Sequence, residues 1–276
     1  MTRVLLWCAL AALAAGQSPE DLRVLMRRSL QGLQSSDQKL EQMGYVRRNE
    51  HRQYHSDGSM KQGRSWTVER EFRDGISIIR LLERDRKPIP AGERQAEEDR
   101  IRKYIAEVKA MTPEQIARQK EERERNRRKK ESDEDDWINE LPEALDYKPA
   151  GEEIIHGRPA LVLAVSPRPG YRPKNMRARV FEKVRGKVWI DKADTELVKA
   201  DAEVFETVNI GLGIVGRVEK GTRFQVQRAK VESSWLPESQ SIRFTARFLL
   251  FKSLNQESTT RYSNYRPSEA FAASAR

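Results

Sequence analysis

The apolar positions of this chain follow a helical period in two places and a period of two through most of the remainder. Leu22, Leu25, Met26, Leu30 and Leu33 recur three and four apart, with Ser29 on the same stripe, after a start signal at Ser18-Pro19-Glu20-Asp21. Ser18 suits an N-cap, Pro19 the first helical position, and the two acids the positive end of the helix dipole. The spacing predicts an amphipathic helix over 19–34, with room to continue toward 42. From Tyr45 the period changes. Trp66, Val68 and Phe72 alternate with Thr67, Glu69 and Glu71, an apolar run through Ile78 follows, and Asp57-Gly58 and Asp74-Gly75 are hairpin-turn pairs. Residues 44–84 therefore read as three successive antiparallel strands.

Residues 91–131 interrupt the strands with charged helical sequence. Ile101, Tyr104, Ile105 and Val108 form a stripe that should pack on the sheet opening as a lid. Thr112 and Gln115 are spaced for a capping box on a second helix. Between Lys120 and Glu131 every residue except Asn126 is charged, so that helix has no face to bury; a solvated helix is the reading, disorder the alternative. The acidic run 133–136 lacks calcium-loop spacing and reads as linker. Strands resume at about 152, with a hairpin around Gly157-Arg158-Pro159. Five further stretches of alternating character follow, at 179–191, 195–208, 222–233, 235–252 and 257–265. About ten strands result. Long strands with one apolar side predict an α+β fold: a strongly curved, mostly antiparallel sheet with an N-terminal helix and an inserted helical lid.

Large apolar side chains at two-residue spacing are the candidate site. Trp66, Val68, Phe72, Ile78, Trp189, Phe224, Phe244, Phe248 and Leu250 are the residues expected to line a hydrophobic cavity. Core packing accounts for such residues singly; collectively, a curved sheet with a helix on its concave side can leave an apolar cavity.

The N-terminus changes the picture of where this happens. A basic Arg3, an unbroken apolar run from Val4 to Ala15 and small residues before Gln17-Ser18 have the three-part layout of a cleavable secretory signal over 1–16. That run is 12 residues, short of a bilayer span, and has no polar face for a buried helix. Cys8, the single cysteine, lies within it, so the mature chain can have no disulfide and no thiol chemistry. The expected organisation is one domain over 17–266 with the insertion at 91–136, and a flexible tail at 267–276. Export places the protein in the periplasm or outside the cell. A net charge of +10 fits contact with anionic lipid headgroups or an acidic partner, and the absence of a recognition-helix motif argues against nucleic acid.

Catalytic and cofactor chemistry find no support. Gly211-Leu212-Gly213-Ile214-Val215-Gly216 matches a dinucleotide fingerprint, but a turn and strand follow it where a helix is required. His51 and His55 share a strand face too far apart to chelate, and His156 stands alone, so no metal site is expected. No serine sits in a nucleophile elbow.

The order of elements, with Gly186-Lys187-Val188-Trp189-Ile190-Asp191, Thr195-Glu196-Leu197-Val198-Lys199, Trp235-Leu236-Pro237 and Tyr262-Ser263-Asn264-Tyr265-Arg266, resembles the periplasmic lipoprotein-carrier (LolA-like) superfamily. The resemblance implies an open half-barrel with helices filling or covering its mouth. It also implies binding of acyl chains or lipidated proteins; no functional residue is carried over. The leading expectation is a non-catalytic carrier or sensor for lipid or lipoprotein acyl chains. The alternative is an interaction module in envelope assembly or stress signalling that meets a protein partner through the charged helix.

Overall fold

In the computed structural model, residues 18–210, 216–248 and 252–268 are described. Helix α1 (Pro19–Leu40) begins as its sequence predicts: the Ser18 hydroxyl accepts the Asp21 N–H at 3.2 Å and the Asp21 carboxylate accepts the Ser18 N–H at 2.9 Å. Strands β1 (Met43–Tyr54), β2 (Met60–Arg73), β3 (Ile76–Arg84) and the short β4 (Lys87–Pro88) follow. Asp74 and Gly75 both take positive φ, the geometry that lets a two-residue turn match strand twist. The insertion comprises α2 (Ala91–Lys109), α3 (Pro113–Ile138) and one turn, α4 (Leu141–Ala144). The remaining strands are β5 (Leu145–Ile155), β6 (Arg158–Pro167), β7 (Val184–Asp191), β8 (Leu197–Val204), β9 (Val208–Ile210), β10 (Gly216–Val218), β11 (Arg223–Val231), β12 (Ser234–Phe248) and β13 (Lys252–Pro267).

Eleven strands form one antiparallel path, β4-β3-β2-β1-β13-β12-β11-β8-β7-β6-β5, with β9 and β10 branching from β12. The sheet is curved and not closed. Its two halves join where β1 meets β13, in a register that sets Arg47 against Tyr262 and Asn49 against Thr260.

Several boundaries differ from the sequence reading: the strand expected over 195–208 ends at Val204, with β9 beginning at Val208, and the strand expected from 257 begins at Lys252. The sheet resumes at Leu145, not about 152, because Leu145 and Tyr147 alternate into the core. Residues 178–183 form a 3-10 helix, with Ala178 and Phe181 buried three apart, where a strand from 179 was expected. The acidic run 133–136 continues helix α3 and is not linker.

Side chains alternate across a strand, so cross-strand register assigns every position to one of two faces. We call the face carrying α1 inner. Leu22, Met26 and Leu30 of α1 pack there on Leu145, Tyr147, Leu161, Leu163, Val165, Val188, Ile190 and Leu197. On the outer face Ala160, Val162, Trp189, Val198 and Trp235 form a separate cluster.

A buried cation fixes α1 to the sheet. Arg228, 1% exposed, donates to the Glu196 carboxylate at 2.9 Å, to the Leu197 carbonyl at 2.8 Å, to the Trp235 carbonyl at 2.9 Å and to the Ser36 hydroxyl. Ser36 in turn donates to the Trp235 carbonyl, and Ser29 to the Thr195 carbonyl. Gly32 lets this approach happen, since a Cβ there would lie 2.2 Å from Glu196 Oε2. Gly186 serves the sheet similarly, its missing Cβ leaving room for the Asp201 carbonyl.

Candidate ligand-binding face

Helix α1 covers only part of the inner face. It packs on β5, β8, the start of β12 and the start of β1. Beyond it, the inner positions of β3, β2, β1, β13, β12 and β11 form a continuous surface through the pairs Leu81–Val68, Val68–Arg47, Arg47–Tyr262, Asn49–Thr260, Thr260–Gln240, Ser258–Ile242 and Ile242–Phe224. Trp66 is 39% and Ile79 52% exposed on this surface. Phe72, Leu81, Phe224, Ile242 and Phe244 are half-buried, and Val68 is buried. Solvent-facing apolar side chains gathered on one sheet face are the feature that needs an explanation.

Five of the nine expected cavity residues, Trp66, Val68, Phe72, Phe224 and Phe244, share this inner face. Phe224 also packs against Val184, Val204 and Val208. Ile78 and Trp189 lie on the outer face. Trp189 is enclosed there, its indole N–H donating to Glu153 at 2.8 Å and Lys199 resting 4.2 Å above its ring. The nearby outer cleft of about 800 Å³ has charged walls, Arg185, Lys199, Asp201 and Arg223 among them. Phe248 pairs with Lys252 at the end of β12, but its side chain, Leu250 and the glycine motif up to Val215 lie outside the described residues.

The insertion takes the outer side of β3. Ile101 is 1% exposed, and Tyr104, Ile105 and Val108 are half-buried while their neighbours on α2 face solvent. Ion pairs hold the helix in place: Glu98 with Arg73 at 2.8 Å and with Arg80 at 3.2 Å, and Lys109 with Asp74 at 2.7 Å. The Arg73 guanidinium, with Arg80 beside it, holds the Glu98 carboxyl down to about 2. Arg73, Ile78 and Arg80 all point outward in register, so the stripe is packed on the sheet from the side opposite α1, away from the opening where its spacing was expected to place it. Helix α3 starts with the expected box, Thr112 N–H to Gln115 at 2.9 Å and Gln115 N–H to the Thr112 hydroxyl at 3.3 Å, and most of its described side chains are exposed.

Polar residues that hydrophobic spacing does not single out run through the middle of the inner face. Tyr45, Tyr262 and Tyr265 cluster under the end of α1, with Tyr265 donating to the Pro237 carbonyl. Burial pushes the Tyr265 phenol up, keeping it a donor. Arg70 lies over the Tyr45 and Phe72 rings and donates to the Glu41 carbonyl at 2.7 Å. Arg47, Asn49 and His51 continue the line along β1. The motif stretches noted in sequence prove to be structural: Asp191 accepts both Arg158 and the Ala193 and Asp194 N–H groups, while Trp235 and Pro237 present carbonyls to Arg228, Ser36 and Tyr265.

No family model matches the sequence, and no curated protein matches it. Among solved structures the chain is similar to a DUF1329 family protein from Desulfovibrio piger, at 12% identity over 92% of this chain and 95% of that one, with a TM-score of 0.30. It is also similar to a LolA superfamily protein from Nitrosomonas europaea, at 10% identity over 87% and 94% of the two chains and a TM-score of 0.27. A third similarity is to an outer membrane lipoprotein-sorting protein domain from Vibrio parahaemolyticus, at 10% identity, the same two coverages and a TM-score of 0.29.

Proposed function

We propose that this chain is an exported, non-catalytic carrier or sensor that binds lipid or lipoprotein acyl chains on the part of the inner face that α1 leaves uncovered. One observation carries the reading: Trp66, Ile79, Phe72, Ile242 and Phe244 remain half-buried or exposed on a single sheet face whose other part is fully packed. Each methylene of an acyl chain laid on that face would contribute about 0.8 kcal/mol. The leader-like residues 1–16 support export, with the half-barrel over 17–266 as the working domain and α2 and α3 as its appendage. No helix among the described residues is long and apolar enough to cross a membrane.

Native mass spectrometry of protein purified without detergent tests this reading. Co-purified mass in the range of acyl lipids, lost on substituting Trp66 and Phe244 by aspartate, is expected. A chain that never carries lipid and takes up none on incubation would refute it. The exposed, charged face of α3 favours a second role in the same molecule, contact with an envelope protein partner. Deleting 113–138 would then abolish the partner while sparing lipid uptake.

A further inference from the structure

The charges of the open region are sorted by face. Glu50, Glu69, Glu71, Glu83 and Glu257 all fall on outer positions of β1, β2, β3 and β13, where Arg48, Arg52, Arg80 and Arg266 pair with them. Inner positions of the same strands carry Arg47, Arg64, Arg70, Arg84 and His51 and no acid among the described residues, and Arg84 reaches Glu93 of α2 at 3.2 Å. A cation on a half-buried surface normally finds a carboxylate or several carbonyls, because desolvation without a partner is costly.

Arg70 finds its partners in the Glu41 backbone carbonyl, the Ser77 hydroxyl and two rings. Arg47 does not. It sits between Val68 and Tyr262, half-buried, with no ion pair or hydrogen bond among the described residues, and its Nε is enclosed without a partner. Two positions along β1, Asn49 Oδ1 accepts the Thr260 hydroxyl at 3.3 Å, which turns Nδ2 the other way; that nitrogen is also enclosed without an acceptor. Two neighbouring donors, one of them on a cation, thus lack an acceptor among the described residues, on a face with Val68 and Trp66 directly opposite on β2 and with Ile242 and Phe244 farther along, in register with His51 and Gln53 across β13. Buried donors in native proteins are paired, so an orphaned pair marks where an acceptor belongs.

We infer that Arg47 and Asn49 form a headgroup site for an anionic amphiphile, with a phosphate or carboxylate accepting from both residues and the apolar chain lying over the aromatic and aliphatic flanks. This rests on the lipid-binding reading and specifies it: the ligand class is an anionic single-headed amphiphile, not a neutral one. Arg47 supplies charge and a planar donor set, Asn49 a directional N–H. With no acid among the described inner positions of β1, β2, β3 and β13, such a headgroup meets no carboxylate on those strands.

Titration calorimetry below the critical micelle concentration separates the claims, with dodecyl phosphate, dodecyl maltoside and inorganic phosphate as probes. Dodecyl phosphate is expected to bind about tenfold more tightly than the neutral maltoside, the scale of one charge-assisted hydrogen bond. Arg47→Gln should abolish that preference while leaving maltoside affinity within about twofold, and Arg47→Lys should restore part of it. Should Arg47→Gln lose the maltoside as well, Asn49→Asp provides the second reading, since its carboxylate occupies Arg47 and repels the headgroup without altering the apolar flanks. Equal affinity for the two amphiphiles in the parent protein, or a preference that survives both variants, overturns the headgroup site and leaves lipid binding standing. Arg47-dependent binding of inorganic phosphate with no uptake of either amphiphile upholds the anion site and overturns the lipid reading.

Discussion

Replacing Arg228 by methionine tests how α1 is fastened. The substitution keeps the aliphatic stem but removes the guanidinium that serves the Glu196 carboxylate, the Leu197 and Trp235 carbonyls and the Ser36 hydroxyl. Arg228 is 1% and Glu196 21% exposed at the side chain, so water repairs the carboxylate only in part and the carbonyls hardly at all. Deleting one partner of a buried pair costs about 3–5 kcal/mol. For a domain of this size that corresponds to a fall in melting temperature of about 6–20 °C. Urea denaturation read by far-ultraviolet circular dichroism measures it, and the Glu196→Gln variant completes a double-mutant cycle. The two changes should be less than additive by about 0.5–3 kcal/mol, because each removes the same contact. A loss below about 1 kcal/mol for Arg228→Met, the scale of an ordinary surface change, would show that the network does not hold the helix.

Gly32→Ala should destabilise by about 1 kcal/mol although it raises helix propensity by about the same amount, because its Cβ displaces Glu196 from Arg228; in a Glu196→Ala background the same change should stabilise, and stabilisation in both backgrounds would contradict the argument. Ile101→Ala should cost about 2–5 kcal/mol in the docking of α2, read by hydrogen exchange as lost amide protection over 91–109. In the parent protein 120–131 should exchange fast, and strong, salt-insensitive protection there would mean that α3 docks after all. The Glu98 carboxyl is depressed in the folded state, so its contribution is present above the ordinary value of 4.5 and is lost as pH falls toward about 2. Protection of α2 should therefore weaken through that window, and Glu98→Gln should flatten the dependence; an identical pH profile in the variant would assign the loss elsewhere.

What was legible in the sequence was whatever declares itself within a dozen residues. The Ser18 and Thr112 caps, the α1 stripe and the Asp74-Gly75 turn act locally, and each stands where its residues put it. The 178–183 segment escaped because Ala178 and Phe181 bury one side at a three-residue spacing, which a period-two reading folds into the strand that follows. The face of the insertion was not readable either. Whether Ile101 meets the inner or outer side of β3 depends on the phase of Ile78, which bulges and cross-strand register set. Arg47 and Asn49 alternate like any solvated strand residues, and their meaning emerges only when β1, from one end of the chain, is paired with β13 from the other. Arg228 likewise follows Phe224 and Val226 in phase, but a lone arginine at a core position carries no sign of the five groups that converge on it.

The central claim, that an amphiphile lies on the uncovered part of the inner face, is tested most directly by the indole N–H resonances of the protein titrated with a spin-labelled fatty acid. Trp66 is on that face, while Trp189 and Trp235 are held on the outer side by Glu153 and Asp194. The Trp66 indole signal should broaden at sub-stoichiometric label with those of Trp189 and Trp235 unchanged; broadening of the outer pair with Trp66 unaffected would contradict the account.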